Sequence, residues 1–212
     1  MEEDELVMIQ YTGREDGEVF DTTREEVAEE EDLEREDANF EPVPVLIGRE
    51  YVIEGLEDRL LDMEVGESAE VEVPPEKGYG ERSAEDVQTY PEKEFKKQGV
   101  DVRPGEELMI GQRRGKVVSN SSGRVRIDFN HPLAGDKLSY ELEVVERIED
   151  DREIAEKIYG YRVGEGELEF DEGTVRVPSS HSHGDHEHEL PEEAKDQIRE
   201  EIEAATGLDV EF

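Results

Sequence analysis

At 212 residues, with 62 Asp and Glu against 24 Lys and Arg, the chain carries a formal charge of −38, and 41% of its residues are charged. That excess excludes recognition of nucleic-acid phosphates, which needs Lys and Arg, and equally disfavours an anionic membrane surface. There is no Cys, which excludes disulfides, thiolate metal sites and a thiol nucleophile.

In chain order, Leu6 to Tyr11 reads as a strand, and Gly13 with Asp16-Gly17 marks a turn into the short run Glu18 to Asp21. Residues 24 to 42 are dense in acid and too sparse in apolar residues for a core helix, so they read as a solvated flap with at most one exposed helical turn. Val43 to Ile47 is a strand closed by Gly48. Leu56, Leu60 and Met63 recur at helical spacing and predict a helix over 54–61, and Ala69, Val71 and Val73 alternate as a strand that stops at Pro74-Pro75.

From Glu81 the texture changes, with a short helix after Pro91, a stop at Gly99 and a hairpin across Ser119 to Gly123. Leu138, Tyr140, Leu142 and Val144 then alternate, so the last strand of the first unit returns after an insertion. Residues 151–212 predict a small α+β appendage: a helix over 151–159, a strand across Glu167 to Val177, and a helix from Pro191 to Ala205 ended by Gly207. The expected domains are therefore 1–81 plus 129–150, an insertion over 82–128, and a C-terminal domain over 151–212.

Acid spread along the whole chain repels itself at low ionic strength and is screened at high salt, where the Debye length falls to about 3 Å at 1 M. With 16 Arg against 8 Lys, this predicts a halophilic chain. The acidic start Met1-Glu-Glu-Asp-Glu has no basic or apolar signal character, and no apolar run approaches ~20 residues, so a cytoplasmic location is expected. Strong like charge favours a monomer.

Tyr11-Thr12-Gly13, then Gly17 to Thr23, is followed by Ile47-Gly48, Val52-Ile53-Glu54-Gly55-Leu56-Glu57, Met63 to Glu67 and Pro74 to Gly80. This ordered set resembles the FK506-binding-protein (FKBP) type of peptidyl-prolyl cis/trans isomerase. Asn130-His131-Pro132-Leu133-Ala134-Gly135 resembles the signature of its SlyD-type branch, and the spacing from Tyr79 to Asn130 leaves room for that branch's inserted flap domain.

The resemblance implies an α+β fold, a half-wrapped antiparallel sheet around a short helix, and an apolar cup whose positions fall on Tyr11, Phe20, Asp21, Val52, Ile53, Leu56, Tyr79 and Tyr140. Such a cup suits the reaction, because isomerisation breaks no σ bond and needs only the C–N bond to twist against a resonance barrier of about 18–20 kcal/mol. Phe20, Val52, Leu56 and Tyr140 would wall the proline ring, the Tyr79 hydroxyl and the Ile53 N–H would bond substrate carbonyls, and Asp21 would polarise the rim and orient Tyr11. Without the resemblance, the four wall residues read as plain core, Asp21 as a turn or cap residue, and Tyr79 as a loop aromatic. Two positions depart from the family: Leu56 stands where other members often carry Trp, and Val43 where some carry an aromatic.

The insertion resembles a flap that captures unfolded chains, which implies chaperone activity and, as partners, unfolded or partly folded proline-containing polypeptides. Its candidate apolar contacts are Tyr90, Phe95, Leu108, Met109 and Ile110, together with Val87, Val100 and Val102, at least half of them needed for the insertion's own core. Isomerisation requires no cofactor. His181, His183, His186 and His188 lie among acids at a density that binds Ni2+ or Zn2+, with a plain polar loop as the alternative. The functional alternatives are a holdase with an inert cup and a metal-handling protein using these histidines.

Overall fold

A computed structural model of the chain describes residues 1–33, 40–164, 166–183 and 186–212. It divides into two compact units, Met1–Val73 with Lys137–Phe212, and Pro74–Asp136. The expected insertion 82–128 lies within the second, and the C-terminal residues 151–212 count with the first.

The first unit begins with β1 (Leu6–Glu15) and β2 (Glu18–Thr22), joined by a turn at Asp16-Gly17, both at positive φ. Leu6, Val7, Met8 and Ile9 are all buried, so the opening of β1 is apolar and covered on both faces. The acidic segment after Arg24 forms α1 (Glu25–Glu30), and its Ala28 is buried, so this turn is docked rather than fully solvated; residues 34–39 of the expected flap lie outside the described residues. β3 (Val43–Leu46) leads to α2 (Glu54–Leu61), where the helical spacing placed it, with Leu56 and Leu60 buried. β4 (Ser68–Val73) follows. Gly55 is what lets α2 approach β4, since a Cβ there would stand 2.7 Å from Val73 Cγ1.

The second unit holds β5 (Val87–Pro91), α3 (Glu92–Lys97), β6 (Glu107–Ile110), β7 (Arg113–Ser121) and β8 (Arg124–Asp128). The strands form one antiparallel sheet in the order β5-β8-β7-β6. Its core is Phe95, Val102, Val117, Val125 and Ile127, with Tyr90, Leu108, Ile110 and Phe129 packed against it.

Back in the first unit, β9 (Leu138–Ile148) pairs with β1 and β4, giving the sheet order β2-β1-β9-β4 with β3 also on β1. α4 (Asp151–Arg162) starts where the Asp150 carboxylate accepts the N–H groups of Arg152 and Glu153, each at 3.1 Å. The expected single strand over 167–177 is a hairpin, β10 (Glu169–Asp171) and β11 (Thr174–Arg176), because Gly173 at φ 74° turns the chain. A second hairpin, β12 (Ser180–His183) with β13 (His186–Glu189), precedes α5 (Glu192–Thr206), and β14 (Asp209–Glu211) pairs parallel to β11. α4 and α5 pack together through Ile154, Ala155, Ile158, Ile198 and Ile202, and α4 also touches β3. Among the described residues no helix is long and apolar enough to cross a membrane.

Candidate active site

Four of the eight expected cup residues are joined by direct contacts. The Tyr11 hydroxyl donates to Asp21 Oδ2 at 2.9 Å, and the Tyr140 ring meets Tyr11 and Phe20 edge-on, at centroid distances of 6.1 and 5.8 Å. The backbone explains why. Across β1 and β2, Gly13 pairs with Asp21 but Arg14 pairs with Val19, so Phe20 is the extra residue of a β-bulge. Bulges re-aim a side chain, and here the neighbour is a glycine: a Cβ on Gly13 would lie 2.7 Å from Phe20 Cζ and 2.8 Å from Tyr140 Cε1.

Thr22 and Thr23 fix the strand beneath. Thr23 Oγ1 accepts the Tyr11 N–H at 2.8 Å, the Thr23 N–H and both threonine hydroxyls donate to the Tyr11 carbonyl, and the buried Thr12 and Thr22 hydroxyls bond each other at 2.9 Å. Tyr11 is therefore held at its main chain and its hydroxyl at once, the latter by the Asp21 carboxylate.

Val52, Ile53 and Leu56 form a second group at the start of α2. Ile53 is the N-cap, with φ −62° and ψ 148°, and its carbonyl accepts the N–H groups of Leu56 and Glu57. No hydrogen bond among the described residues takes the Ile53 N–H, as expected of a donor at a helix N-terminus. Leu56 is buried, while Val52 and Ile53 are half-buried. Just before them stand Tyr51 and its partners Tyr161, Arg162 and Glu201, none of which sequence reasoning singled out; more than a hundred residues separate Tyr51 from any of them, and no local pattern joins them.

Tyr79 belongs to the second unit, where its ring stacks on His131 at 4.0 Å and 5°. His131 Nδ1 accepts the Leu133 N–H, and the Asn130 side-chain amide bridges the Ser83 main chain and Asp128, so the Asn130-His131 motif ties the two ends of this unit together. Of the flap candidates, Phe95 is core, Tyr90, Leu108 and Ile110 pack on that core, and Met109 is 63% exposed. Exposed Val118 is a further apolar residue that sequence reasoning left out.

The register of β12 and β13 sets His181 opposite His188 and His183 opposite His186; of these side chains only His188 lies among the described ones, and it is exposed. Among the described residues no cluster of three or more His, Asp or Glu is arranged to hold a metal ion.

The family model for FKBP-type peptidyl-prolyl cis-trans isomerases matches residues 1–98, and one described as the FKBP26 IF domain matches residues 88–133. The chain is 34% identical over 140 residues to a short-type peptidyl-prolyl cis-trans isomerase of Methanocaldococcus jannaschii, an alignment covering 66% of this chain and 89% of that one. It is 33% identical over 144 residues to SlyD of Aeromonas hydrophila, covering 66% of this chain and 60% of SlyD. A 16 kDa FKBP-type isomerase of Escherichia coli is 30% identical over 112 residues, covering 51% of this chain and 75% of that one. The FKBP-type match spans the Phe20 bulge and α2, and the chain belongs to the FKBP-type peptidyl-prolyl cis-trans isomerase family, acting as an enzyme on proline-containing polypeptides.

Proposed function

We propose that the X-Pro amide twists against the aromatic cluster of Tyr11, Phe20 and Tyr140, with Asp21 orienting Tyr11, Val52 and Leu56 adding apolar wall, and the Ile53 N–H donating to a substrate carbonyl. The observation that carries this is the Phe20 bulge over Gly13, which gathers three aromatic rings beside one carboxylate on an otherwise regular hairpin. Such a face strips water from the amide and binds its twisted form better than either planar one, which is all the catalysis this reaction needs. For Tyr79 the support is the family motif alone: a hydroxyl there would donate to a substrate carbonyl.

The second unit is the proposed chaperone element, supported by its apolar residues left in solvent, Met109, Val118 and Val100. The rest of the reading is that the chain works in the cytoplasm at high salt as a monomer, that catalysis requires no cofactor, and that Ni2+ or Zn2+ at the histidine hairpin is accessory. A holdase with an inert cup is the competing account.

The test is the cis-to-trans rate of an X-Pro peptide in ~2–3 M KCl, where the acidic surface is screened. The native chain is expected to accelerate it, and Asp21→Asn to lower kcat/KM by about tenfold or more by removing the charge that orients Tyr11, while suppression of aggregation persists. A folded Asp21→Asn variant at the native rate would move the reaction away from this cluster, and no acceleration by the folded native chain would leave the holdase.

A further inference from the structure

The segment between β3 and α2 is gripped from the C-terminal part of the same unit. Tyr51 is 7% exposed, and its hydroxyl donates to Glu201 Oε2 at 2.8 Å. Arg162 Nε donates to that same oxygen at 3.0 Å, a second Arg162 nitrogen bonds Oε1, and Gln197 also donates to Oε1 at 3.2 Å. The Arg162 guanidinium lies over the Tyr51 ring at 4.3 Å, and Tyr161 stacks on it at 4.4 Å and 19°. Tyr161 then reaches past the ring, its hydroxyl donating to the Tyr51 main-chain carbonyl at 3.3 Å.

Tyr51 is thus held by its hydroxyl, by Tyr161 and Arg162 against its ring, and by its carbonyl. That carbonyl belongs to the same peptide plane as the Val52 N–H, so fixing it sets the direction in which Val52 and then Ile53 leave. Neighbouring bonds restrict the segment further: the Glu57 carboxylate accepts the N–H groups of Gly48 and Glu50, and Arg49 pairs with Asp4 and with Glu200 of α5. Glu201 is only 3% exposed. A buried ion pair is a weak source of stability compared with apolar packing of the same volume, whereas its directional bonds specify orientation. Burial, together with the Glu201 carboxylate, pushes the Tyr51 hydroxyl well above its ordinary pKa, so it remains a donor across the working pH range.

We infer that Tyr51, Tyr161, Arg162 and Glu201 are positioning residues for isomerisation: through them α4 and α5 hold Val52 and the Ile53 N–H in their productive place. This rests on the reading that the Ile53 N–H meets the substrate. The C-terminal residues 151–212 then serve the catalytic face directly, a role the isomerase chemistry does not by itself require.

The test uses the full chain and measures, for each variant, kcat and KM on an X-Pro peptide, the urea midpoint, and the amide 15N shifts of Val52 and Ile53. Tyr51→Phe and Tyr161→Phe are expected to lower kcat about five- to tenfold with KM little changed, to displace the Val52 and Ile53 signals, and to leave the urea midpoint near that of the native chain. Glu201→Gln should do the same more strongly; if it fails to fold, Tyr161→Phe decides, because it removes one hydroxyl from a side chain 46% exposed. Folded variants with native kcat and unmoved amide signals would overturn the inference. Ile53→Pro separates it from the underlying reading, since φ of −62° already suits proline and the donor is lost, with Ile53→Ala, which keeps the N–H, as the control for the side chain. A slow Ile53→Pro beside native-rate tyrosine variants sinks the positioning role alone, and a native-rate Ile53→Pro sinks both.

Discussion

In the unit built from Met1–Val73 and Lys137–Phe212, β1 opens with four successive buried apolar residues and the sheet runs into two packed helices. In Pro74–Asp136 a four-stranded sheet and one short helix close over a core of Phe95, Val102, Val117, Val125 and Ile127, and leave Met109, Val118 and Val100 at 63, 47 and 38% exposure. The first arrangement fixes its aromatic rings and a helix N-cap through several contacts each. The second has little core to spare, yet keeps apolar side chains in solvent on a chain of charge −38. The first unit also exposes Leu61, Val65 and Tyr161, but over more than twice as many residues, and on that density we propose the small unit as the client-facing element and the large one as the catalytic platform.

The comparison breaks most directly at Ile127, which is fully buried and meets the backbone of Gly115 so closely that a Cβ there would lie 2.5 Å from Ile127 Cγ2. Ile127→Ala should cost about 2–5 kcal/mol, a large share of what so small a core can supply. Amide 1H–15N spectra should then lose the signals of β5 to β8 while those of β1 and β9 persist, and isomerisation of a short peptide, though it loses the Tyr79 contact, should outlast suppression of aggregation. Loss of both sets of signals together would mean the two units unfold as one.

Acid should sharpen it. Asp128 is 5% exposed; burial disfavours its charge, but the main-chain and side-chain N–H groups of Asn130 and the Arg82 guanidinium outweigh this and hold its pKa below the ordinary 3.8. A carboxylate whose folded pKa is depressed adds stability that is complete above the unfolded value and is lost as pH falls through the folded one. The small unit should therefore weaken below about pH 4, by about 1–3 kcal/mol, and Asp128→Asn should flatten that limb while lowering stability at neutral pH. Urea midpoints at pH 6 and pH 3, read on second-unit amides at micromolar protein, measure it; an equal acid limb in the variant would remove Asp128 as the cause.

How far the sequence carried depended on whether the determining contacts are local. Alternation in β9 and the 3.6-residue spacing of Leu56, Leu60 and Met63 were legible because each element's own burial pattern reports it. The hairpin at Gly173 was read as one strand because its two strands are three residues each, too short for alternation to show a break. Residues of the aromatic cluster could be named from the family motifs, but not the bulge that assembles them, since a one-residue register shift leaves no mark in composition. Tyr51 to Glu201 was invisible for the plainest reason: 150 residues separate the partners.

The smallest effect tests whether the platform is as well satisfied as its density suggests. Tyr159 is 1% exposed and crowded, a Cβ on Gly166 falling 2.5 Å from its Cε1, yet among the described residues its buried hydroxyl has no hydrogen-bond partner. Burial alone raises its pKa. An unsatisfied buried hydroxyl carries a desolvation cost with no return, so removing it while keeping the ring should be neutral or mildly favourable. Tyr159→Phe is expected to leave the urea midpoint within the equivalent of about 0.5 kcal/mol of the native chain, or to raise it. A loss above about 1 kcal/mol would mean the hydroxyl is bonded in solution. In that case the platform, like the small unit around Asp128, would depend on a buried polar contact for part of its stability, and the contrast between the two units would rest on core size alone.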